Sequence, residues 1–380
     1  MRSTPRILVT LVGFALVCLV PGCAVSAEVR QVHADWRAYV QDYIQDDGRV
    51  VDGARDGMTT SEGVAYALLR AVWSDDRRTF GLVLEWSRVN LQNGDGGALP
   101  AWHWGVDSAE TWGIRDAQPA SDADVLMAYA LLEASDRWSR EDYRDQAIRL
   151  LGEIWTLETL DVGMDRVLLP GPWAMTEGPL RLNPSYFATF AFRRFAEVDS
   201  DRDWLALVRS SYRVWEATHE AYGTWPDWCW WDTEADTLVP APEGSEGLVV
   251  SGWEAMRIPW LLAADLAWYE APEAERMLQV DREHGVQPDD ELRLPAVVGP
   301  RGAVVTPYES RARYGALLPA WAVTRPDDVA ALRRHIARLE PARVGRHGRR
   351  GHAGTDYYAA NWVWFGQALW FGVARPVEAR

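Results

Sequence analysis

Cysteine is almost absent from this chain of 380 residues, which contains only three. Cys18 and Cys23 lie in an apolar N-terminal segment, and only Cys229 belongs to the rest of the chain. A lone cysteine forms no intrachain disulfide, so we expect the fold to be stabilised by its core. No cysteine–histidine cluster has the spacing of metal ligands, and we therefore predict neither a metal site nor a cofactor.

Positive charge is also scarce. The chain has 39 Lys and Arg against 55 Asp and Glu, a formal net charge of −16. A chain this acidic lacks the basic surface that binds nucleic acid or an anionic membrane. The charge is compatible with a neutral polymer as partner, although it does not identify one.

The N-terminus has the order of an export signal. Arg2 and Arg6 are followed by an apolar run over residues 7–20, as in the charged and hydrophobic regions of a signal peptide. The run is too short and too close to the N-terminus to predict a membrane span. We therefore predict that residues 1–27 direct export and that residues 28–380 form a single domain.

Two cleavage sites compete in this segment. The sequence Leu-Val-Pro-Gly-Cys at residues 19–23 resembles a bacterial lipobox, which places a lipid on Cys23. Residues 25–27, Val-Ser-Ala, resemble an ordinary small-residue cleavage site. The first site predicts a lipoprotein of the periplasm or cell envelope, and the second a freely secreted protein. The lipid anchor predicted by the first site is the only membrane contact that we expect.

Tryptophan is unusually frequent, at 22 residues. Its side chain offers a flat apolar face and one N–H donor, and the axial C–H groups of sugars pack on such faces. About two thirds of these tryptophans are expected to belong to the core. The aromatic runs at 99–104 and 225–231 lie in long segments between predicted helices, where ordered loops commonly build binding sites.

Apolar residues recur at helical spacing along the chain and predict about a dozen helices. The clearest cover residues 64–73, 125–132, 140–156, 184–198, 202–217, 253–269 and 357–373. The longest intervening segments lie near 92–120, 158–183, 223–250 and 285–308. Strand-like alternation is rare, with its best short cases at 248–250 and 303–305.

Carboxylates occur at several predicted helix starts. Glu62 follows Thr59 at the spacing of a capping box, and Asp124 follows Ser121 at the same spacing. Such residues commonly satisfy backbone N–H groups. A carboxylate at a helix start also points toward whatever lies above that helix end, so a structural and a functional interpretation coexist.

Two later segments repeat this arrangement. Asn183 is a predicted N-cap followed by a proline, which places Tyr186 in the first helical turn. Glu254 and Arg257 are one helical turn apart and predict an ion pair, and Pro259 predicts a local bend or helix end. Carboxylates and aromatic residues thus follow long loops at several helix starts.

Seven segments resemble motifs of glycoside hydrolase family 8, both in their residues and in their order along the chain. They are Met58–Gly63, Leu99–Trp102, Ala120–Asp124, Leu168–Gly171, Asn183–Tyr186, Pro226–Trp228 and Glu254–Arg257. The resemblance implies an all-α fold, an (α/α)6 barrel or helical toroid with an open substrate cleft. It also implies an endo-acting, inverting hydrolase of β-1,4-glucan such as cellulose, with a single catalytic domain over residues 28–380.

The resemblance also implies roles for individual residues. Glu62 matches the general acid, and Asp122 matches the aspartate that contacts the sugar at the cleavage point. Tyr186 and Arg257 match residues near that point. The family's usual base is the Asp of a Tyr-Asp-Ala-x-Arg motif, which here reads Trp-Glu-Ala-Met-Arg, so Glu254 takes its place with one more methylene.

The best candidate for a sugar platform is Trp102, followed by Trp173 and Trp228. The departure at Glu254 leaves other substrates open, namely chitosan, xylan or mixed-linkage glucan, and also a protein that binds glucan without cutting it. A partnership with cellulose synthase or an exopolysaccharide export machinery rests on the resemblance alone. We expect a monomer.

Overall fold

A computed structural model describes residues 26–163, 165–242, 249–340 and 357–377. The predicted lipidation site, Cys23, lies outside these residues, as does nearly all of the predicted export signal. Across the described ranges, none of the helices combines the length and the apolar character that a membrane crossing requires.

Twelve α-helices are present in the described part of the chain. In order they are α1 (Ala27–Tyr43), α2 (Ser61–Trp73), α3 (Arg77–Asn90), α4 (Ser121–Trp138), α5 (Glu141–Leu157), α6 (Thr189–Val198), α7 (Trp204–Tyr222), α8 (Ile258–Tyr269), α9 (Pro272–His284), α10 (Arg311–Thr324), α11 (Val329–Arg338) and α12 (Tyr357–Trp370). Every segment predicted from apolar spacing carries one of these helices, with its ends displaced by a few residues.

The even-numbered helices pack on one another in chain order. Helix α2 contacts α4, α4 contacts α6, and the series continues through α8 and α10 to α12. Helix α12 returns to α2, where Tyr66 packs edge-on against Trp362 and Phe365 at ring distances of 5.6 and 5.2 Å. Each odd-numbered helix packs outside one of these six, beginning with α1 on α12 and α3 on α2.

Side-chain patterns explain which helices lie inside. In α2 every residue except Glu62 is buried, whereas α5 buries only one stripe that includes Tyr143, Ala147 and Leu151. A helix that is apolar on all sides belongs in the interior, and an amphipathic one packs against it from outside. Glu62 is therefore an exception on a helix that otherwise belongs to the core.

Among the described residues, ten short strands in four antiparallel sheets occupy segments between the helices. They are β1 (Thr59–Thr60), β2 (His103–Val106), β3 (Trp112–Asp116), β4 (Thr159–Val162), β5 (Asp165–Leu168), β6 (Leu180–Leu182), β7 (Cys229–Asp232), β8 (Thr237–Val239), β9 (Val297–Val298) and β10 (Val304–Thr306). The fold is thus helix-rich with small sheets, most of which the sequence analysis missed. Strands of two to five residues are too short for a period of two to be recognised.

One of the two predicted strands is present. The prediction near 303–305 is confirmed by β10, which pairs with β9. The prediction at 248–250 is wrong for Val249 and Val250, which belong to no strand, and Leu248 lies outside the described residues.

The capping box predicted from Thr59 and Glu62 is wrong. Thr60 is the N-cap of α2, and its Oγ1 accepts a hydrogen bond from the N–H of Gly63 at 3.0 Å. The Thr59 hydroxyl instead donates to the carbonyl of Val50 at 2.6 Å. Because β1 continues through Thr60, the helix begins one residue later than the spacing predicts, and Glu62 does not cap it.

The second predicted capping box, between Ser121 and Asp124, is also wrong. Ser121 is already the first residue of α4, which follows Ala120 without a side-chain cap. The Ser121 hydroxyl donates to the carbonyl of Leu169 at 2.5 Å. This bond ties the start of α4 to the segment that follows β5.

The predicted cap at Asn183 is confirmed, although it begins a 3-10 turn over Pro184–Tyr186 and not an α-helix. Its Oδ1 accepts from the backbone N–H of Ser185 at 3.1 Å. Pro259 lies in the first turn of α8, where its missing N–H leaves no helical bond unmade, so it neither bends nor ends that helix.

Candidate active site

The starts of the six inner helices meet at one cleft. Its cavity of about 650 Å³ is lined by residues from the first turn of each inner helix or from the turn just before it. These include Glu62 of α2, Asp122 of α4, Tyr186 before α6, Glu254 before α8, Ala312 of α10 and Tyr358 of α12. Helix N-termini carry partial positive charge, so this end of the fold favours anionic side chains.

Arg257 is buried next to the carboxylates that line the cleft. Its Nη1 donates to Glu62 Oε2 at 2.8 Å and to Asp122 Oδ2 at 3.0 Å. Its Nη2 pairs with Glu254 Oε2. The Arg257 side chain is only 3% exposed, so three carboxylates converge on one buried guanidinium. Such a group is far more constrained than the simple ion pair predicted between Glu254 and Arg257.

Uncharged neighbours fix the orientation of this guanidinium. Ser185 Oγ accepts from Arg257 Nη2 at 2.7 Å and from Nε at 3.2 Å. The Tyr66 hydroxyl lies 3.4 Å from Nη1, and the Tyr186 ring centroid is 5.3 Å from the guanidinium carbon. The planar guanidinium of Arg257 therefore has a hydrogen-bond partner along each edge. A lysine could not reproduce this arrangement.

Asp122 differs from its neighbours in its burial. Its side chain is only 8% exposed, against 26% for Glu62 and 32% for Glu254. Burial raises the pKa of Asp122 to about 7, and the charge on Glu62 adds to the shift while Arg257 opposes it. Three carboxylates around one cation leave excess negative charge, so a proton is retained in this group near neutral pH.

A second pair of carboxyl groups lies beneath Asp122. Asp124 and Glu158 are both fully buried, and their carboxyl oxygens have no hydrogen-bond partner among the described residues. Burial raises the pKa of both well above the usual range, which favours the protonated forms of these carboxyl groups. The pair joins α4 to the end of α5, close to the residues that follow β5.

The backbone on either side of Glu254 is tightly held. Asp227 Oδ1 accepts from the N–H groups of Gly252 and Ala255 at 2.8 Å each. The Tyr358 hydroxyl donates to the carbonyl of Trp253 at 2.7 Å. These bonds brace the turn that carries Glu254, so its carboxylate extends from a fixed backbone.

Trp102 lines the cleft beside Glu62. Its carbonyl accepts from the N–H of Ser61 at 3.0 Å, and its side chain lowers the pKa of the neighbouring Asp116. The ring is half-buried. The structure therefore places it next to the start of α2 with part of its ring available to a bound molecule.

The other two predicted platforms form a row that leads away from the cleft. Tyr186 lies 6.2 Å from Trp228, and Trp228 lies 6.3 Å from Trp173, measured between ring centroids. Trp173 is 41% exposed, and the Arg181 guanidinium lies 4.2 Å from the Trp228 ring. Trp173 and Trp228 do not line the central cavity, but they extend an aromatic surface from it.

Several residues of this site were missed in the sequence. Ser185 and Asp227 lie within motifs quoted for their neighbours, and their small polar side chains gave no reason to single them out. Tyr66 and Tyr358 lie on predicted helices, where nothing in the pattern distinguished them from packing residues. Trp253 is 43% exposed and lines the cleft. The family motif has tyrosine at this position, and that difference was the signal that could have identified Trp253 as a site residue.

The described residues contain no group of three or more His, Cys, Asp or Glu side chains arranged to hold a metal ion. Cys229 is buried and unpaired. The chemistry that these residues offer is that of carboxyl groups, one guanidinium and aromatic faces.

Comparisons with known proteins identify similar sequences. The chain is 40% identical over 236 residues to an endoglucanase of Xanthomonas axonopodis pv. citri (strain 306), an alignment that covers 61% of each chain. It is 36% identical over 184 residues to an endoglucanase of Pseudomonas fluorescens (strain SBW25), covering 47% of this chain and 46% of that one. The alignments thus span about half to three fifths of these curated relatives.

A crystal structure has a similar fold over a greater length. An endo-1,4-D-glucanase from Vibrio fischeri ES114 superposes with a TM-score of 0.76 at 27% identity, covering 89% of this chain and 94% of that chain. The sequence profile described as glycosyl hydrolases family 8 matches residues 10–282, which is well over half of the chain. This protein therefore belongs to glycosyl hydrolases family 8.

Proposed function

We propose that this protein is an endo-acting, inverting β-1,4-glucanase that cuts cellulose or a similar glucan. The observation that carries the proposal is the contact of Glu62, Asp122 and Glu254 with one buried guanidinium in a single open cleft. The relatives named above are endoglucanases, which supports the same substrate class.

In this proposal Glu62 is the general acid that protonates the leaving glycosidic oxygen. It is the one residue of α2 that is not buried, and it lines the cleft. Arg257 Nη1 contacts both Glu62 and Asp122, so the proton retained by the carboxyl group of Asp122 is close to Glu62. Asp122 supplies that proton and binds the sugar at the cleavage point.

Glu254 is the proposed base that activates the attacking water. An inverting hydrolase holds its two carboxyl groups roughly 6.5–9.5 Å apart, with the water between them. Glu254 and Glu62 bind different nitrogens of the same guanidinium, so both carboxyl groups border the same part of the cleft. The side chain of Glu254 has one methylene more than that of aspartate. This extra length is accommodated because the side chain folds back onto Arg257, which follows one turn later in the chain.

For the fold we propose an (α/α)6 barrel. Its support is the order of contacts among the six inner helices, together with the return of α12 to α2 through Tyr66 and Trp362. In this arrangement the cleft crosses the face formed by the inner N-termini. A polymer can lie along such a cleft without threading an end, which suits internal cleavage.

The first test is the release of reducing ends from carboxymethylcellulose by the mature protein, with Glu62→Gln and Glu254→Gln run in parallel. We expect both variants to lose at least about 100-fold in kcat, since each removes one partner of acid–base catalysis. Glu283→Gln, an exposed substitution on α9, is the matched control and should behave as the unsubstituted protein.

The outcomes separate the alternatives. Loss in Glu62→Gln alone moves the base to another residue. No hydrolysis by the unsubstituted protein overturns the glucanase proposal and directs the same assay to chitosan, xylan and mixed-linkage glucan, and then to binding without cleavage. The anomeric form of the first product, followed by NMR, tests inversion independently, because an inverting enzyme releases the α-anomer from a β-glucan.

We also propose that the protein is an exported monomer, with a lipid on Cys23 and a site of action beside cellulose synthase or an exopolysaccharide export machinery. The N-terminal order of charged and apolar residues supports the export part. Labelling with a radioactive fatty acid, compared between the native chain and Cys23→Ala, decides between the lipoprotein and the freely secreted form.

A further inference from the structure

A fourth cleft carboxylate, Glu309, lies just before α10 and has no part in the chemistry proposed above. It lines the same cavity as Glu62 and Glu254, and it follows residues 10–282, where the family profile matches. Its side chain is 22% exposed. Glu309 therefore lines the cleft from a part of the chain that the family profile does not cover.

Two donors bind the same oxygen of Glu309. The Tyr314 hydroxyl donates to Oε1 at 2.7 Å, and His335 Nε2 lies 2.5 Å from the same atom. Arg338 Nη2 contacts His335 Nδ1 at 2.6 Å. Because arginine can only donate, Nδ1 is the acceptor in this contact and Nε2 carries the proton. His335 therefore donates to Glu309 while it is neutral.

The backbone around Glu309 is fixed as well. The carbonyl of Tyr308 accepts from the N–H of Ala296 at 2.7 Å, and Ser310 is the N-cap of α10, with its hydroxyl accepting from the N–H of Arg313. His335 is 4% exposed and packs edge-on against Tyr314 at 4.8 Å. Both the main chain and Oε1 of Glu309 are thus held in place.

This arrangement leaves Oε2 as the oxygen that Glu309 offers to the cleft. Within the described ranges, the partners of the Glu309 carboxylate bind Oε1. A hydroxyl group that donates to a carboxylate makes a bond about twice as strong as a neutral one. Every glucose unit of a β-glucan carries such hydroxyl groups, and a preorganised acceptor binds them at little entropic cost.

The geometry points to Glu309 as a substrate-binding residue that accepts a hydrogen bond from a sugar hydroxyl through Oε2, with His335 as the residue that positions it. The inference rests on the proposed function, since it assigns a glucan to the cleft. It adds a specificity determinant on the wall formed by the start of α10 and the end of α11.

The test compares Glu309→Gln with the unsubstituted protein on cello-oligosaccharides from cellotriose to cellohexaose. The glutamine keeps an oxygen for Tyr314 and His335 but presents an NH2 donor to the cleft. We expect KM to rise roughly tenfold for chains that reach this wall, with kcat within about twofold. Shorter chains should be unaffected, and Glu283→Gln serves as the matched control.

Substitutions of His335 provide the second part of the test. His335→Leu removes the donor and should raise KM as Glu309→Gln does, whereas His335→Gln retains an N–H and should restore most of the affinity. Adding His335→Leu to Glu309→Gln should change KM little further, because both act through one contact. An unchanged KM in Glu309→Gln, or a fall in thermal stability without a change in KM, overturns the inference.

Binding to catalytically inactive protein separates this inference from the proposed function. Calorimetry with cellohexaose compares Glu62→Gln with the double variant Glu62→Gln/Glu309→Gln. Roughly tenfold weaker binding in the double variant supports the role of Glu309 even if the native protein hydrolyses no glucan. Equal binding overturns it even if hydrolysis is present. If Glu309→Gln weakens the binding of chito-oligosaccharides more than that of cellohexaose, the inference is overturned in favour of an ammonium group as the ligand of Glu309.

Discussion

Arg257 and Glu62 are 195 positions apart in the chain, and their side chains lie 2.8 Å apart in the cleft. The same guanidinium reaches Asp122 and Glu254. A cation shared by three carboxyl groups keeps them close together in spite of their mutual repulsion. Its removal is thus expected to affect both the stability of the fold and the reaction.

Arg257→Lys should lower kcat at least about 100-fold while the protein stays folded. Lysine retains the charge but has no planar fork with which to reach Glu62, Glu254 and Ser185 together. Arg257→Met should also lower the free energy of unfolding by about 3–5 kcal/mol at neutral pH, since buried carboxylates lose their partner. Urea unfolding of both variants, repeated at acid pH, checks this explanation. A stability loss in Arg257→Met that does not shrink at acid pH would argue against it.

Asp227→Ala should reduce kcat by roughly ten- to a hundredfold with a smaller change in KM. The substitution removes the acceptor for the N–H groups of Gly252 and Ala255, so the turn that carries Glu254 loses its alignment. Asp227→Asn keeps an oxygen at the same position and should recover most of the activity. Equal kinetics for the two variants would mean that the turn is held by other contacts.

Trp102→Ala should weaken cello-oligosaccharide binding by about 0.5–1.5 kcal/mol, the range for aromatic contacts, with little change in Tm. Trp102→Phe retains an apolar face but lacks the indole N–H beside Asp116, which separates stacking from the polar part of the side chain. Calorimetry and thermal unfolding are measured on the same samples. A large fall in Tm with unchanged affinity would assign Trp102 to the core.

Glu133→Gln should flatten the dependence of stability on pH. Glu133 is fully buried on α4 and accepts from the N–H of Val377 at 2.7 Å, and burial raises its pKa from 4.5 to about 8. The folded protein therefore binds a proton that the unfolded chain releases, so the free energy of unfolding falls as pH rises from about 4.5 to about 8.

The measurement for Glu133→Gln is Tm at intervals between pH 4.5 and 8.5. The native protein should lose several degrees over this range, and the variant should lose less because its amide does not ionise. At the acid end the two proteins should be similar. Parallel curves for the native protein and the variant would show that other buried carboxyl groups, such as Asp124 and Glu158, set the pH dependence.

Much of the fold was predictable because it depends on local pattern. The helical spacing around Val64 and Leu68 belongs to a helix buried on almost all sides, and such a pattern is recognisable without any tertiary information. The strands were not predictable, because β1 has only two residues and exists through its pairing with β2. Because of that pairing, the N-cap of α2 is Thr60 and not Thr59, which the spacing predicts.

For the site, the sequence by itself determined the residue types and their order: a carboxylate after Thr60, another after Ser121, and the Glu-Ala-Met-Arg turn at 254–257. Only the tertiary structure decided that Arg257 joins all three carboxylates, that Asp227 braces the turn, and that Glu309 shares the cleft. Apart from the pair of Arg257 with Glu254, these relationships join residues tens to hundreds of positions apart, and they arise because the inner helices place their N-termini at one end of the fold. No local pattern contains that information.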